Sequence, residues 1–119
     1  AESGWGLNVD HQGDILFATL FNYGAGGKGV WYVMSNGARS ATDSRTFTGP
    51  LYRTNGPAFN ASPWTAIGVT QVGTMTVAFD AQAGHRATLT YTVDGAPVTK
   101  AVERQAFGNL RPLCETGNE

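Results

Sequence analysis

Gly4-Trp-Gly-Leu-Asn-Val-Asp-His-Gln-Gly-Asp-Ile-Leu-Phe-Ala-Thr-Leu-Phe-Asn-Tyr23 is the stretch whose reading decides the fold. Over Gly4 to His11, Trp5, Leu7, Val9 and His11 fall on one side and Gly4, Gly6, Asn8 and Asp10 on the other, the period of a half-buried strand. Gln12-Gly13-Asp14 supplies a tight turn, because glycine accepts the positive φ that hairpin turns demand. A second strand runs from Ile15 to Tyr23. One face carries Ile15, Phe17, Thr19, Phe21 and Tyr23, and the opposite face, with Leu16, Ala18 and Leu20, is apolar as well. A strand apolar on both sides is expected to be covered on both sides.

Beyond Tyr23, Gly24-Ala-Gly-Gly-Lys-Gly29 lacks the Gly-Lys-Ser/Thr ending of a phosphate-binding loop and is read as a hairpin connection. The third strand sets Val30, Tyr32 and Met34 against Trp31 and Val33 and is expected to end at a Ser35-Asn36-Gly37 turn. A strand over Arg45 to Thr54 contains Pro50, which implies an edge, a bulge or two short strands. Asn55 to Gly68 is read as the one long loop, its Phe59 and Trp64 capping the end of the sheet. After it, Val69, Gln71, Gly73, Met75, Val77 and Phe79 oppose Thr70, Thr74, Thr76 and Asp80. Leu89, Tyr91 and Val93 then oppose Arg86, Thr88, Thr90 and Thr92. One face packs and the other is threonine-coated. Asp94-Gly95 closes a hairpin into a last strand from Val98 to Phe107, and the tail from Gly108 shows no periodicity.

Composition narrows the classes. Charged residues make up 14% of the 119, and glycine and threonine abound while lysine is scarce. That balance favours strands joined by tight turns over helices. A net charge of -1 gives no basic footprint for nucleic acid, and no apolar run is long enough for a membrane-spanning helix. The alanine start and low lysine content fit a secreted or periplasmic protein. Cys114 is the single cysteine, so no internal disulfide is available; it is a plain tail thiol or a bridge to another chain or domain.

The expected architecture is therefore all-β, with seven or eight antiparallel strands in meander order over residues 1–107 and an irregular tail over 108–119. An up-and-down barrel or strongly curled sheet is the economical form, a two-sheet sandwich the alternative. Ser3-Gly-Trp-Gly-Leu-Asn8, His11-Gln-Gly-Asp14, Phe17-Ala-Thr19, Trp31-Tyr-Val-Met-Ser35, Gly49-Pro-Leu-Tyr-Arg-Thr54, Gly56-Pro-Ala-Phe59, Tyr91-Thr-Val-Asp-Gly95 and Arg104-Gln105 carry a resemblance. Together they resemble a domain that recurs in secreted and surface-associated proteins of proteobacteria. The resemblance implies export and a modular role, and leaves the chemistry open. In gross layout the chain is also similar to avidin and lipocalin-type barrels, with no motif of either.

Three functional readings follow. The first is a non-catalytic binder of a small molecule or carbohydrate inside or at the mouth of the barrel. Trp5, Phe17, Tyr23, Trp31, Tyr32 and Trp64 would line its site, with Asn8, His11 and Thr19 as polar anchors. The second is an assembly module, a homo-oligomer joined through the doubly apolar second and third strands, in which a charge at Leu20 would disturb association. The third is a small enzyme using His11. Asp10 and His11 point to opposite faces of their strand, and no nucleophile elbow or metal-spaced histidine pair is present, so neither a catalytic set nor a cofactor or metal is expected.

Overall fold

The computed structural model describes residues 2–108; the expectations for Cys114 and for most of the tail lie outside the described residues. Among the described residues seven strands form one sheet: β1 (Gly6–Gln12), β2 (Ile15–Tyr23), β3 (Gly29–Arg39), β4 (Thr46–Asn55), β5 (Gly68–Phe79), β6 (Arg86–Val93) and β7 (Ala96–Glu103). They are hydrogen-bonded in the order of the sequence, each antiparallel to the next. β1 and β7 do not pair, so the meander is an open, curled half-barrel rather than a closed one or a sandwich.

Glycine sets the tightest turns. Gly13, with φ at 57°, turns β1 into β2; Asp94 and Gly95, at 50° and 83°, turn β6 into β7 in the doubly left-handed geometry of a type I′ hairpin.

The core lies on the inside of the curl. Leu16, Ala18 and Leu20 of β2 meet Met34 of β3, Leu51 of β4, Met75 and Val77 of β5 and Leu89 of β6, all at most 1% exposed. Burying a leucine this completely is worth about 1.5–3 kcal/mol. Tyr32, Phe47, Val72 and Tyr91 complete the buried set. Across the interior, Asn22 Nδ2 donates to the Tyr91 hydroxyl at 3.1 Å, giving a half-buried amide and a buried phenol one partner each. Burial, set against that bond, pushes the Tyr91 phenol up.

The doubly apolar second strand thus has its even-numbered side inward. Leu20 is fully buried, so a charge there would strike the core and not an association surface.

Two bulges correct the sequence reading. Ser35-Asn36-Gly37 does not turn the chain; β3 runs straight through it. Neither Asn36 nor Gly37 has the positive φ that an Asn-Gly hairpin turn requires. Leu16 pairs with Gly37 and Ala18 with Met34, so two residues of β3 face one of β2. Val33 pairs with Tyr52 and Ala38 with Thr48, so Met34–Gly37 face the shorter Gly49–Leu51. One extra residue in β3 is absorbed against both neighbours.

Gly37 is required for closeness rather than for turning. A Cβ there would lie 2.7 Å from the Leu16 carbonyl oxygen and 2.6 Å from Met34 Cε. Pro50 sits opposite this irregular stretch, where the ladder to β3 is already interrupted, which is how a proline is accommodated in a central strand.

The second bulge is in β5. Leu51 pairs with Gly73 and Tyr52 with Gln71, leaving Val72 as the extra residue. A one-residue slip reverses the alternation: Val72 is buried, while Val69 and Gln71, expected on the packed face, turn outward.

Candidate functional site

Register divides the sequence-predicted residues between the two faces. His11 pairs with Leu16, Leu7 with Leu20, and Tyr32 with Leu20 from the other side, so Trp5, His11 and Tyr32 belong to the inner face. Asn8 pairs with Thr19, Asp10 with Phe17, Phe21 with Trp31 and Thr19 with Val33, so Asn8, Phe17, Thr19, Tyr23 and Trp31 lie on the outer face. Trp64 stands on the loop between β4 and β5. No single cavity gathers the nine, because successive residues of one strand, such as Trp31 and Tyr32, face opposite sides.

The inner-face members are structural in their surroundings. Tyr32 is buried. Trp5 is half-buried against the core, and its indole N–H donates to Glu2 at 2.9 Å. The other oxygen of Glu2 accepts from Lys100 Nζ of β7 at 2.7 Å, so the N-terminal segment bridges the open seam of the half-barrel. These bonds, that from Lys100 first, lower the Glu2 carboxyl below its ordinary value.

His11 Nε2 donates to the Gly13 carbonyl, and its ring stands edge-on to Phe47 at 5.4 Å. Arg39 completes this corner. Its guanidinium lies over Phe47 at 5.3 Å and donates to the carbonyls of Gly13 at 3.1 Å and Ser44 at 3.3 Å. Arg39 Nε is 3.1 Å from Asp14 Oδ1, an ion-pair distance without hydrogen-bond geometry. Among the described residues no cluster of three metal-ligating side chains occurs.

The loops at this end of the sheet are held by carboxylates that sequence reasoning passed over. Asp43 accepts from the Thr46 hydroxyl at 2.8 Å and the Arg45 N–H at 3.1 Å; Asp80 accepts from the N–H groups of Gln82 and Ala83 at 2.8 and 3.0 Å. The Thr46 bond chiefly lowers Asp43, and the Gln82 bond chiefly lowers Asp80, both from an ordinary 3.8. Groups lowered by folding add stability that is full above their unfolded pKa and lost as pH falls through the lower folded value. The thermal midpoint is therefore expected to hold from neutrality to about pH 4.5 and then drop. Asp43→Asn with Asp80→Asn should lower the neutral midpoint and flatten the acid limb; an unchanged limb would remove both carboxylates from the account.

What remains for a partner is the outer face of β2 and β3. Ile15, Phe17, Phe21, Tyr23 and Trp31 are 38–56% exposed, and Val69 of β5 is 57% exposed. Val33 pairs with Tyr52 and Thr54 with Val69, carrying the surface across β4. No outward-facing position of β2 to β5 holds a charge. Toward β7 the same face becomes threonine, with Thr48, Thr76, Thr90 and Thr99 abreast and the first two hydroxyls 2.9 Å apart.

At the upper end of the aromatic stretch, Gly4, Phe21, Asn22, Tyr23, Gly29, Val30 and Trp31 border an open groove of about 330 Å³. A larger open hollow of about 590 Å³ runs along the opposite ends of β5 to β7, lined in part by Asp80, Arg86 and Glu103. Its charged members are already engaged: Asp80 caps its loop, and Arg86 stands 3.5 Å from Glu103.

The face was half legible. The periodicity showed two apolar sides, and the extra residue at Val72, which puts Val69 on this surface, leaves no mark in the pattern. No protein-family model, curated protein or solved structure matched the chain.

Proposed function

We infer that this chain is a non-catalytic binding module of the exported kind, and that its working surface is the outer aromatic face of β2 and β3, through which it self-associates. The observation that carries this reading is the division of the large side chains. On the inside of the curl the large side chains are covered, Leu16, Leu20, Met34, Leu51, Met75 and Leu89 fully and Tyr32, Phe47 and Tyr91 to at most 8% exposure, while Phe17, Phe21, Tyr23 and Trp31 stand 41–56% exposed on a face without charge. Side chains of this size expose on the order of 100 Å² each at such fractions, about 500 Å² together. That is at the upper end of the largest apolar patches on monomers, and two copies face to face would bury about 1,000 Å², the lower bound of a specific interface. The resemblance to a domain of secreted and surface-associated proteins, and the glycine- and threonine-rich, lysine-poor composition, support export.

The groove beside Tyr23 and Trp31 favours one second reading, a small molecule or carbohydrate held at the mouth. Aromatic walls and the Asn22 amide are the kind of lining such ligands use.

Native mass spectrometry and sedimentation at two concentrations separate the two. A dimer that dissociates on dilution, and that Phe17→Lys abolishes while leaving the circular dichroism intact, is the expected result. A monomer at both concentrations retaining a discrete small mass would replace self-association by ligand binding.

A further inference from the structure

From Thr54 to Phe79 the sequence contains no charged residue, and the loop 56–67 lies wholly inside that run. Its base is pinched shut. Asn55 Oδ1 accepts the Gly68 N–H at 3.0 Å, and Ile67 packs so closely on Gly56 that a Cβ there would lie 3.1 Å from Ile67 Cγ2. The residues between form a closed lobe at the tip of the β4–β5 hairpin, tied within by the Ala61 N–H donating to the Ala58 carbonyl at 2.9 Å. From this lobe Phe59 projects at 93% exposure, Trp64 at 60% and Ile67 at 56%. Phe59 does not cap the sheet, as its size led one to expect, since it touches almost nothing, whereas Trp64 is partly covered.

We propose that this lobe is a lipid-docking tip that seats the domain on a phospholipid bilayer, with Phe59 and Trp64 entering the interfacial layer. Charge is the first argument. A lobe free of charged side chains enters the interface without the desolvation that one lysine or aspartate would impose, and with a chain net charge of -1 the attraction is apolar rather than electrostatic. Shape is the second. Large apolar side chains on a projecting tip need a matched hollow in a protein partner, whereas a fluid layer closes around them.

Residue type is the third, since tryptophan prefers the boundary between headgroups and acyl chains. Depth follows from the backbone. The lobe is neither helix nor strand, so its unpaired peptide groups must stay among the headgroups and only the side chains go deeper. The lobe is separate from the β2–β3 face, so the two assignments stand or fall independently.

The test uses the whole protein with neutral phosphatidylcholine vesicles, read by co-sedimentation and tryptophan emission at low and high salt. The expected result is partitioning to the vesicle fraction with a blue-shifted emission that high salt does not reverse. Phe59→Ser with Trp64→Ser should weaken partitioning at least tenfold, and Phe59→Ser alone, at a side chain that touches almost nothing, should weaken it without any change in circular dichroism. Protein that stays in the supernatant overturns the proposal. So does partitioning that the double variant keeps, or that salt abolishes. Loss of self-association in the double variant, with no vesicle binding by the parent chain, would assign the lobe to a second copy instead. Phe17→Lys should leave vesicle binding unchanged, so failure here is distinct from failure of the association reading.

Discussion

Leu20→Lys is expected to abolish the folded state at room temperature, while Phe21→Lys, one residue along the same strand, leaves it folded. Leu20 is fully buried among the inner-face residues of β2 to β6, where a lysine would place an ammonium with no carboxylate facing it among the buried residues. Desolvating that charge, together with the lost leucine packing, costs more than about 5 kcal/mol, comparable with the whole stability of a domain this size. Phe21 is 46% exposed on the outer face, and a lysine there keeps its head in water. Urea unfolding followed by circular dichroism distinguishes the pair. Two cooperative transitions with similar midpoints would mean that the two sides of β2 have been assigned wrongly.

The second large effect is expected at Gly73, where alanine should destabilise by about 3 kcal/mol or more. A Cβ at Gly73 would run into the backbone carbonyl of Thr92 and its side-chain oxygen. The approach is close because the bulge at Val72 pushes β5 against β6 at that level: the Thr74 N–H reaches Thr92 Oγ1 at 3.2 Å, and the Asp94 N–H donates to the Val72 carbonyl at 2.9 Å. A backbone carbonyl cannot swing aside as a flexible side chain could, so the strands must part and the Met75–Tyr91 pairing beside them loosens. Gly6→Ala, where a Cβ meets nothing within 4 Å, is the matched control and should change the unfolding midpoint little. Equal midpoints for the two variants would show that β5 and β6 are not in close contact at Gly73.

Strand existence was legible in the sequence because period-2 alternation and the Gly13 and Asp94-Gly95 turns are local signals. Facing was not. In β2 both sides are apolar, and periodicity is blind to which of two equivalent sides curls inward. Along β2 a finer signal was present: the inner row carries Leu16, Ala18 and Leu20, and the outer row carries the rings of Phe17, Phe21 and Tyr23. At this strand the inside of the curl is crowded and takes the smaller side chains, and the outside leaves room for rings.

The Asn36-Gly37 reading failed for a related reason. The dipeptide that makes the best hairpin turn also contains the residue needed where a Cβ would lie 2.7 Å from the Leu16 carbonyl oxygen, and sequence alone does not tell the two uses apart. Of the nine residues proposed for a site, Phe17, Tyr23 and Trp31 are exposed aromatics of β2 and β3, and they were grouped with Trp5, His11 and Tyr32 of the other face because a closed cavity was assumed.

The pairing of every strand with its neighbour in sequence also bears on how the chain reaches this state. All-β proteins fold slowly when distant segments must find each other, since loop closure is paid in entropy before any contact repays it. In this meander the longest connection between successive strands is the lobe 56–67. Each hairpin can zip onto the last as it is made, so contact order is low for a sheet protein and the rate should sit toward the fast end of its class. A chain emerging a segment at a time, from synthesis or through an export channel, could lay down the sheet in the order in which it appears.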